Sequence, residues 1–287
     1  MRFGFLLPNL LSPVANAHAL ITTARLAEEV GFDSIWATDH ILMPNEFPRF
    51  GNGTEALTTL TYLAGITQRV ALGTSVLVLP MRNPIIVAKQ LASLGHLSGR
   101  ALIVGVGVGW NEQEYNYLNA NFHQRGKLLD EYISILRTLW TQENPEHDGT
   151  YKFSGATFSP RLESPPQIWI GGESEAAIQR AAKLGDGYHP NLRKNMDYRA
   201  VTEKIRAWSG DRQVTMSVRT TLDLRAGTAG ELEELRQLQQ AGLEYPVVGF
   251  KHETLEDLTR AMELFGREVM PALNKSKTFD VSKTSEV

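Results

Sequence analysis

Residues 70–109 read VALGTSVLVLPMRNPIIVAKQLASLGHLSGRALIVGVGVG, and this stretch decides the fold. Its two ends are short apolar runs rich in Val and Leu, the composition of strands buried on both faces of a parallel sheet. Residues 83–99 between them have helical spacing, with Pro84 near the first helical position and Gly99 at the end. The stretch therefore predicts a strand–helix–strand unit, the building block of a parallel sheet.

The same unit recurs along almost the whole chain. Strands are predicted over residues 3–9, 34–39, 70–80, 101–109, 167–172, 186–190, 214–222 and 245–250. Helices are predicted over residues 17–32, 55–67, 83–99, 174–184, 196–209, 230–242 and 254–273. Eight strand–helix pairs in 287 residues favour a (β/α)8 TIM barrel, which needs about 250 residues, over a doubly wound open sheet.

The alternation pauses after the fourth strand. Residues 111–142 are helical over most of their length, and residues 147–160 have the alternation and turn glycines of a hairpin. Residues 111–165 are therefore predicted to be an insertion within a single barrel domain, residues 1–273. The polar tail, residues 274–287, is predicted to be frayed.

Composition excludes several classes of function. The chain has 42% hydrophobic and 21% charged residues, a net charge of −3 and no cysteine. A basic surface for nucleic acid or an anionic membrane is not expected, and thiolate chemistry is excluded. Pro8 and Asn9 interrupt the first apolar run, which predicts a strand rather than a signal peptide. No apolar run approaches the roughly 20 residues of a membrane span. We therefore expect a cytoplasmic protein.

Polar residues stand where the predicted strands end, which is where TIM barrels carry their active sites. The second strand ends in the sequence IWATDH, so that Asp39 and His40 would stand at the barrel mouth with water or a ligand to bind. The possible metal ligands Asp39, His40, Glu112 and His189 are scattered along the chain. We therefore expect no metal site.

Two strand ends are rich in glycine, and each has two interpretations. Gly105, Gly107 and Gly109 either let a flat ligand approach or relieve crowding inside the barrel. The turn from Gly171 to Ser174 either binds a phosphate at a helix N-terminus or is an ordinary turn with Ser174 as the N-cap. Nearby cations, in the stretch NLRKN, would either assist with the phosphate or form a solvated surface run.

Four motifs resemble the bacterial luciferase-like superfamily, and within it the coenzyme F420-dependent oxidoreductases. They are GFDSIWATDHILMP, LGTSVLVLPMRNPIIVAKQLASL, GVGVGWNEQEY and IGGESEAAIQRAAKLGDGYHP, and the likeness covers roughly residues 1–272. The resemblance implies a (β/α)8 barrel with an insertion after strand four. It also implies a flavin or deazaflavin across the barrel mouth and a hydride or oxygen reaction at its ring.

The resemblance also implies roles for particular residues. Asp39 would hydrogen-bond the cofactor, and His40 would lie close to the reactive ring as a proton donor, a proton acceptor or a substrate-orienting group. The Ser75–Val76 bond would be a non-proline cis peptide that supports the ring. The implied cofactor-binding residues are Asp39, Thr74, Ser75, Val76, Gly105, Gly107, Gly109, Asn111, Gly171, Gly172, Glu173, Ser174, Arg193 and Lys194.

The chain departs from the sugar-phosphate dehydrogenases of this family. Those relatives carry a tryptophan a few residues after the histidine, where this chain reads HILMP, and a glutamate where this chain has Trp110. The nearest carboxylate in sequence is Glu112, so we do not expect glucose-6-phosphate oxidation. Trp110 either packs between barrel and insertion or walls an apolar substrate pocket. The predicted pocket residues are Trp110, Phe47, Phe50 and His189.

The leading hypothesis is an oxidoreductase that transfers a hydride between coenzyme F420 and a small organic substrate. One alternative is an FMNH2-dependent monooxygenase that uses O2 and a flavin reductase partner, and another is a barrel that binds a flavin without turnover. Arg82, Arg193 and Lys194 would favour the acidic tail of F420 over FMN if they line one exit groove. We also expect a homodimer, with the helices over 55–67 and 84–98 as candidate interfaces.

Overall fold

Eight parallel strands close into a barrel in the computed structural model, which describes residues 1–274. In chain order the strands are β1 (Gly4–Leu6), β2 (Ser34–Ala37), β3 (Ala71–Val78), β4 (Leu102–Gly107), β5 (His147–Asp148), β6 (Lys152–Phe153), β7 (Gln167–Ile170), β8 (Gly187–Tyr188), β9 (Thr215–Leu222) and β10 (Tyr245–Phe250). The barrel follows the order β1-β10-β9-β8-β7-β4-β3-β2, whereas β5 and β6 form a separate antiparallel ribbon. The predicted (β/α)8 barrel is confirmed.

Helices surround the barrel. They are α1 (Ala17–Val30), α2 (Pro48–Gly51), α3 (Ala56–Ala64), α4 (Pro84–Ser98), α5 (Glu112–Tyr117), α6 (Arg125–Thr141), α7 (Glu175–Leu184), α8 (Tyr198–Ser209), α9 (Ala229–Gln240), α10 (Leu255–Leu264) and α11 (Met270–Asn274). Short 3-10 turns occupy Leu79–Met81 and Leu224–Ala226, and a π-helical segment, Phe265–Val269, joins α10 to α11. Among residues 1–274, no helix has both the length and the apolar character needed to cross a bilayer.

The unit β3–α4–β4 shows how local sequence builds the wall. The Asn83 side chain accepts hydrogen bonds from the first amides of α4, Pro84 follows it, and Gly99 ends the helix at a φ of 64°. The pairing of β3 with β4 shifts register between Thr74 and Leu77. This irregularity lies at the carboxyl end of β3, so it shapes the barrel mouth.

The barrel interior below the mouth is filled by large side chains. Trp36, Trp169 and Tyr245 are fully buried there. Gly73 provides the space that this packing needs, because a Cβ built on it would lie 2.4 Å from the Trp36 ring. Because these side chains fill the barrel interior, a ligand can bind only at the carboxyl ends of the strands.

The predicted insertion, residues 111–165, contains the helices α5 and α6 and the ribbon β5–β6. Helix α6 packs beside α4 and α7 on the barrel wall, and Trp140 in α6 donates a hydrogen bond to the Ala88 carbonyl of α4. It therefore serves as the helix that links β4 to β7, because its apolar face completes the common core. Helix α5 and the separate ribbon β5–β6 also lie between β4 and β7. Of the predicted polar tail, Asn274 ends α11, and residues 275–287 lie outside the described residues.

Candidate active site

A cavity of about 640 Å³ opens at the carboxyl ends of the barrel strands. It lies within the range of roughly 300–1,000 Å³ typical of small-molecule sites. Among the predicted site residues, those that line it are Asp39, His40, Phe50, Ser75, Val76, Gly109, Trp110 and Arg193. The residues that end the second, third and fourth barrel strands thus meet at one cavity.

Asp39 is held by an ion pair at the wall of this cavity. Its Oδ1 accepts from Arg82 Nη2 at 2.6 Å, and its Oδ2 accepts from the Val78 N–H at 3.0 Å. Burial raises the pKa of the Asp39 carboxyl, and the Arg82 guanidinium opposes that rise only in part. Arg82 also contacts Glu55 Oε1 at 2.9 Å, so it is not free to line an exit groove for the cofactor tail.

His40 is paired with Glu114, a carboxylate that was not among the predicted site residues. Its Nδ1 lies 2.9 Å from Glu114 Oε2, and Glu114 Oε1 accepts from the Ile41 N–H at 2.7 Å. Because an ionised carboxylate only accepts hydrogen bonds, this contact places the proton on Nδ1. No described residue hydrogen-bonds Nε2, which leaves that nitrogen available to a ligand in the cavity.

Asn111 explains why Glu114 reaches His40. Its side-chain oxygen accepts from the Glu114 N–H at 2.9 Å and so caps the N-terminus of α5. The order of residues in NEQE has the form of a capping box, in which the glutamate would bond back to the cap residue. Here Glu114 is 2% exposed and turns to His40 instead. Asn111 is therefore a support for this pair.

Three aromatic side chains form a wall beside His40. The Trp110 ring lies 5.0 Å from Phe47 and 5.3 Å from Phe50, and Phe50 lies 5.2 Å from His40. Trp110 is 48% exposed and Phe47 is 39% exposed, so much of this apolar surface is free to contact a ligand. The contacts of Trp110 with the segment before and within α2 favour the pocket interpretation over packing against the insertion.

His189, the remaining predicted pocket residue, lies below the cavity rather than in it. It is 2% exposed, with Nε2 at 2.8 Å from Ser75 Oγ and Nδ1 at 2.8 Å from Ser217 Oγ. Its ring stacks on Trp36 with centroids 5.0 Å apart. Burial, aided by Arg219, lowers the pKa of His189 to about 3. His189 is thus a neutral group that supports Ser75 from behind.

The glycines of β4 make room for the chain itself. The Ser75–Val76 peptide is cis, as the resemblance implied. A Cβ built on Gly107 or Gly171 would lie 2.7 or 2.8 Å from the Val76 side chain, and one on Gly105 would lie 2.1 Å from the Thr74 carbonyl oxygen. Thr74, Gly105 and Gly107 are buried behind Val76, which itself lines the cavity. The crowding interpretation therefore fits these glycines.

The turn before α7 does not line the cavity, but its Glu173 pairs with a cation that does. Ser174 Oγ accepts from the Ala177 N–H at 3.2 Å as an N-cap, whereas Gly171 and Gly172 do not line the cavity. Glu173 lies 3.7 Å from Arg193, which does line the cavity. The exposed Lys194 does not, so Arg193 is the cation of the NLRKN stretch that lines the cavity, beside Asn191 and Leu192.

Two further residues that line the cavity, Thr38 and Arg219, have polar atoms with no hydrogen-bond partner among the described residues. Thr38 Oγ1 is buried and has no hydrogen-bond partner within residues 1–274. Arg219 donates from Nη1 to the Ser75 carbonyl oxygen at 2.6 Å. Their positions at strand ends were visible in the sequence, but their side-chain directions were not. The described residues contain no cluster of three or more His, Asp or Glu side chains able to hold a metal ion.

Known proteins resemble this chain in sequence and in fold. A sequence profile described as luciferase-like monooxygenase matches residues 1–272. An F420-dependent glucose-6-phosphate dehydrogenase of Kineococcus radiotolerans is 34% identical over 175 residues, which are 60% of this chain and 51% of the relative. The chain thus spans about half the length of the curated relatives that it matches.

Solved structures share the barrel at lower identity. An F420-dependent secondary alcohol dehydrogenase aligns with a TM-score of 0.79 and 19% identity, covering 95% of this chain and 98% of the other. Monooxygenase RslO1 from Streptomyces bottropensis aligns with a TM-score of 0.77 and 20% identity, covering 94% and 99%. At such identities the likeness establishes the fold alone. The profile match over residues 1–272, by contrast, means that the chain belongs to the luciferase-like monooxygenase family.

Proposed function

We propose that the protein is an oxidoreductase that transfers a hydride between coenzyme F420 and a small organic substrate at the barrel mouth. The observation that carries the proposal is the His40–Glu114 pair at a cavity that His40 and Val76 both line, with no described residue bonded to His40 Nε2. The curated relatives that are similar in sequence and named F420-dependent support the choice of cofactor.

The residues present fit this cofactor. Thr38 supplies a buried hydroxyl without a partner among residues 1–274, and Val76 supplies an apolar surface for a flat ring. Arg193 supplies a cation for a phosphate near the N-terminus of α7, whose first amides have no partner within the helix. When bound, F420 supplies the hydride chemistry at its deazaflavin ring.

A side chain of the protein accepts or donates the proton that accompanies hydride transfer. His40 takes a proton at Nε2 from a substrate hydroxyl, or returns it, while Nδ1–H remains bonded to Glu114. The carboxylate orients the imidazole and stabilises its charged form. Phe47, Phe50 and Trp110 exclude water from one side of this group and offer apolar contact to the substrate.

A titration of the apo-protein with F420 and, separately, with FMN tests the proposal. Tryptophan fluorescence reports binding because Trp110 lines the cavity. A Trp110→Phe variant should lose most of the signal, and Trp208→Phe, on α8, should keep it. We expect F420 to bind at least about tenfold more tightly than FMN, a difference of about 1.4 kcal/mol. The reverse order would favour the monooxygenase with its reductase, and binding of neither would remove the proposal.

We also propose that two copies of the chain pair through α3 and α4. These helices expose Tyr62, Ile86 and Leu97 by 52%, 57% and 80%, beside an apolar groove of about 660 Å³. Light scattering at micromolar concentration should give the mass of a dimer, and Leu97→Glu should reduce it to that of a monomer. Leu42→Glu, at another exposed leucine that lies at the barrel mouth, is the control. A monomeric wild type would refute this pairing.

A further inference from the structure

A second cavity adjoins the one that holds His40. It has a volume of about 430 Å³ and is bounded by the segments that follow β1, β9 and β10. Leu11, Arg219 and Thr221 line both cavities. Arg219 on β9 is the charged residue at their junction, so whatever it binds touches both spaces.

Arg219 is a cation without an anionic partner among residues 1–274. Its Nη1 donates to the Ser75 carbonyl, and no described residue accepts from its Nε or Nη2. Burial lowers the pKa of Arg219 to about 10, which leaves the guanidinium charged at neutral pH. The residue is nevertheless only partly buried and lines both cavities, so its remaining nitrogens are within reach of a ligand. The free side of the guanidinium therefore calls for an acidic ligand.

Other cations face the second cavity. Arg49 lines it and makes no ion pair within the described part of the chain. Arg225 and Lys251 also line it, and they share one carboxylate, Asp223, at 2.7 and 3.3 Å. Among its described lining residues, Glu253 alone is acidic. The side chains that line this cavity therefore carry more positive than negative charge, although the net charge of the whole chain is −3.

We propose that the junction of the two cavities binds an oxyanion of the substrate, a carboxylate or a phosphate, with Arg219 as its anchor and Arg49 as a second contact. A guanidinium fork matches the paired oxygens of either group. Because Arg219 lines both cavities, an acid held there can extend its carbon atoms into the cavity that contains His40. The assignment of this anion to a substrate rests on the proposed function, whereas the anion site itself does not.

The short helix α2 connects this site with the aromatic wall. Arg49 and Phe50 are consecutive residues of α2, and Arg49 lines the second cavity while Phe50 lines the first. One substrate can therefore place an acidic group near Arg49 and an apolar part against Phe50. The substrate class that fits is a small organic acid or phosphate ester with an apolar portion.

Calorimetric titration of the apo-protein and of the F420-saturated protein with inorganic phosphate, and separately with acetate, tests the proposal. We expect at least one probe to bind both forms, and Arg219→Gln to weaken that binding by at least about tenfold. The exposed Arg49→Gln should weaken it by about threefold. Arg161→Gln, which removes an exposed cation that lines neither cavity, should leave it unchanged. Tighter phosphate or tighter acetate binding identifies which oxyanion the site takes.

Three results would overturn the proposal. The first is that neither probe binds the wild type. The second is that F420 displaces the probe, or that Arg219→Gln loses F420 affinity, because the arginine would then serve the cofactor. The third is that Arg161→Gln weakens probe binding as much as Arg49→Gln does. Circular dichroism checks the fold of each variant, and Arg49→Gln keeps the test decisive if Arg219→Gln does not fold. A wild type that binds the probe but not F420 would overturn only the assignment to a substrate.

Discussion

The ion pair between Asp39 and Arg82 offers the sharpest test of how the barrel mouth is held together. An Arg82→Met change keeps most of the side-chain length and removes the charge. It leaves the Asp39 side chain, which is 0% exposed, with the Val78 N–H as its remaining donor. Removing one partner of a buried pair costs about 3–5 kcal/mol, and we expect that loss of unfolding free energy at about pH 8. Glu55 is 31% exposed and its Oε2 keeps the Thr58 N–H as a donor, so we attribute most of the loss to Asp39.

The loss should depend on pH in a definite direction. Burial already raises the pKa of Asp39, and removing Arg82 takes away the interaction that lowers it. The folded variant then binds a proton that the unfolded chain releases near its ordinary pKa of about 3.9. Stability therefore falls as the pH rises between the unfolded and the folded pKa, by at most about 1.4 kcal/mol per pH unit. The variant should lie closer to the wild type at about pH 5 than at about pH 8.

Urea unfolding of four proteins measures these quantities. They are the wild type, Arg82→Met, Asp39→Asn and the double variant, each at both pH values. The double variant should recover most of the loss, because it no longer buries an unpaired charge. The reasoning is refuted if Arg82→Met loses the same free energy at both pH values, or if the double variant is as unstable as Arg82→Met alone.

Three further predictions concern the site and its supports. Glu114→Gln removes the carboxylate from Nδ1 of His40, so nitrogen-resolved NMR should show a shift toward the Nε2–H tautomer, while F420 affinity changes by less than about threefold. An unchanged tautomer would contradict the pairing. Gly105→Ala should destabilise the fold by about 3 kcal/mol, because its Cβ meets a carbonyl oxygen at 2.1 Å, whereas Gly230→Ala in open space should change stability by at most about 1 kcal/mol. Equal urea midpoints would contradict this. The pKa of His189, lowered to about 3, means that the unfolded chain binds a proton below about pH 6.5 that the folded chain does not. Wild-type stability should therefore fall as the pH falls across that window, and His189→Gln should flatten the slope in urea titrations.

Strand and helix order was predictable because local sequence carries it. Apolar runs of strand length, Pro84 at a helix start and Gly99 at a helix end specify the units without any long-range information. Several predicted strands, such as 101–109 and 186–190, extend beyond the observed β4 and β8. At the mouth the Val108 carbonyl accepts from the Tyr115 hydroxyl instead of from a neighbouring strand. His189 N–H and the Pro190 carbonyl still bond to the backbone of β7 and β9, although the regular strand has ended.

The site was predictable only where a motif names a residue. Asp39 and His40 stand together in the sequence, and the structure brings both to the cavity. Glu114 is 74 residues from His40, so no local motif joins the two residues. The order of residues in NEQE fits a capping box equally well, and the sequence does not say which way the Glu114 side chain turns. His189 was assigned to the pocket by its place at a strand end, but its side chain lies under Ser75.

A crystal structure of the protein grown with F420 tests the central claim most directly. The claim is that the cavity between the Asp39–His40 and Ser75–Val76 segments holds the deazaflavin ring. We predict electron density for the ring in this cavity, in contact with Val76 and with His40 Nε2 facing it. Density for the ring at another place, or no density at a saturating concentration of F420, would contradict the account.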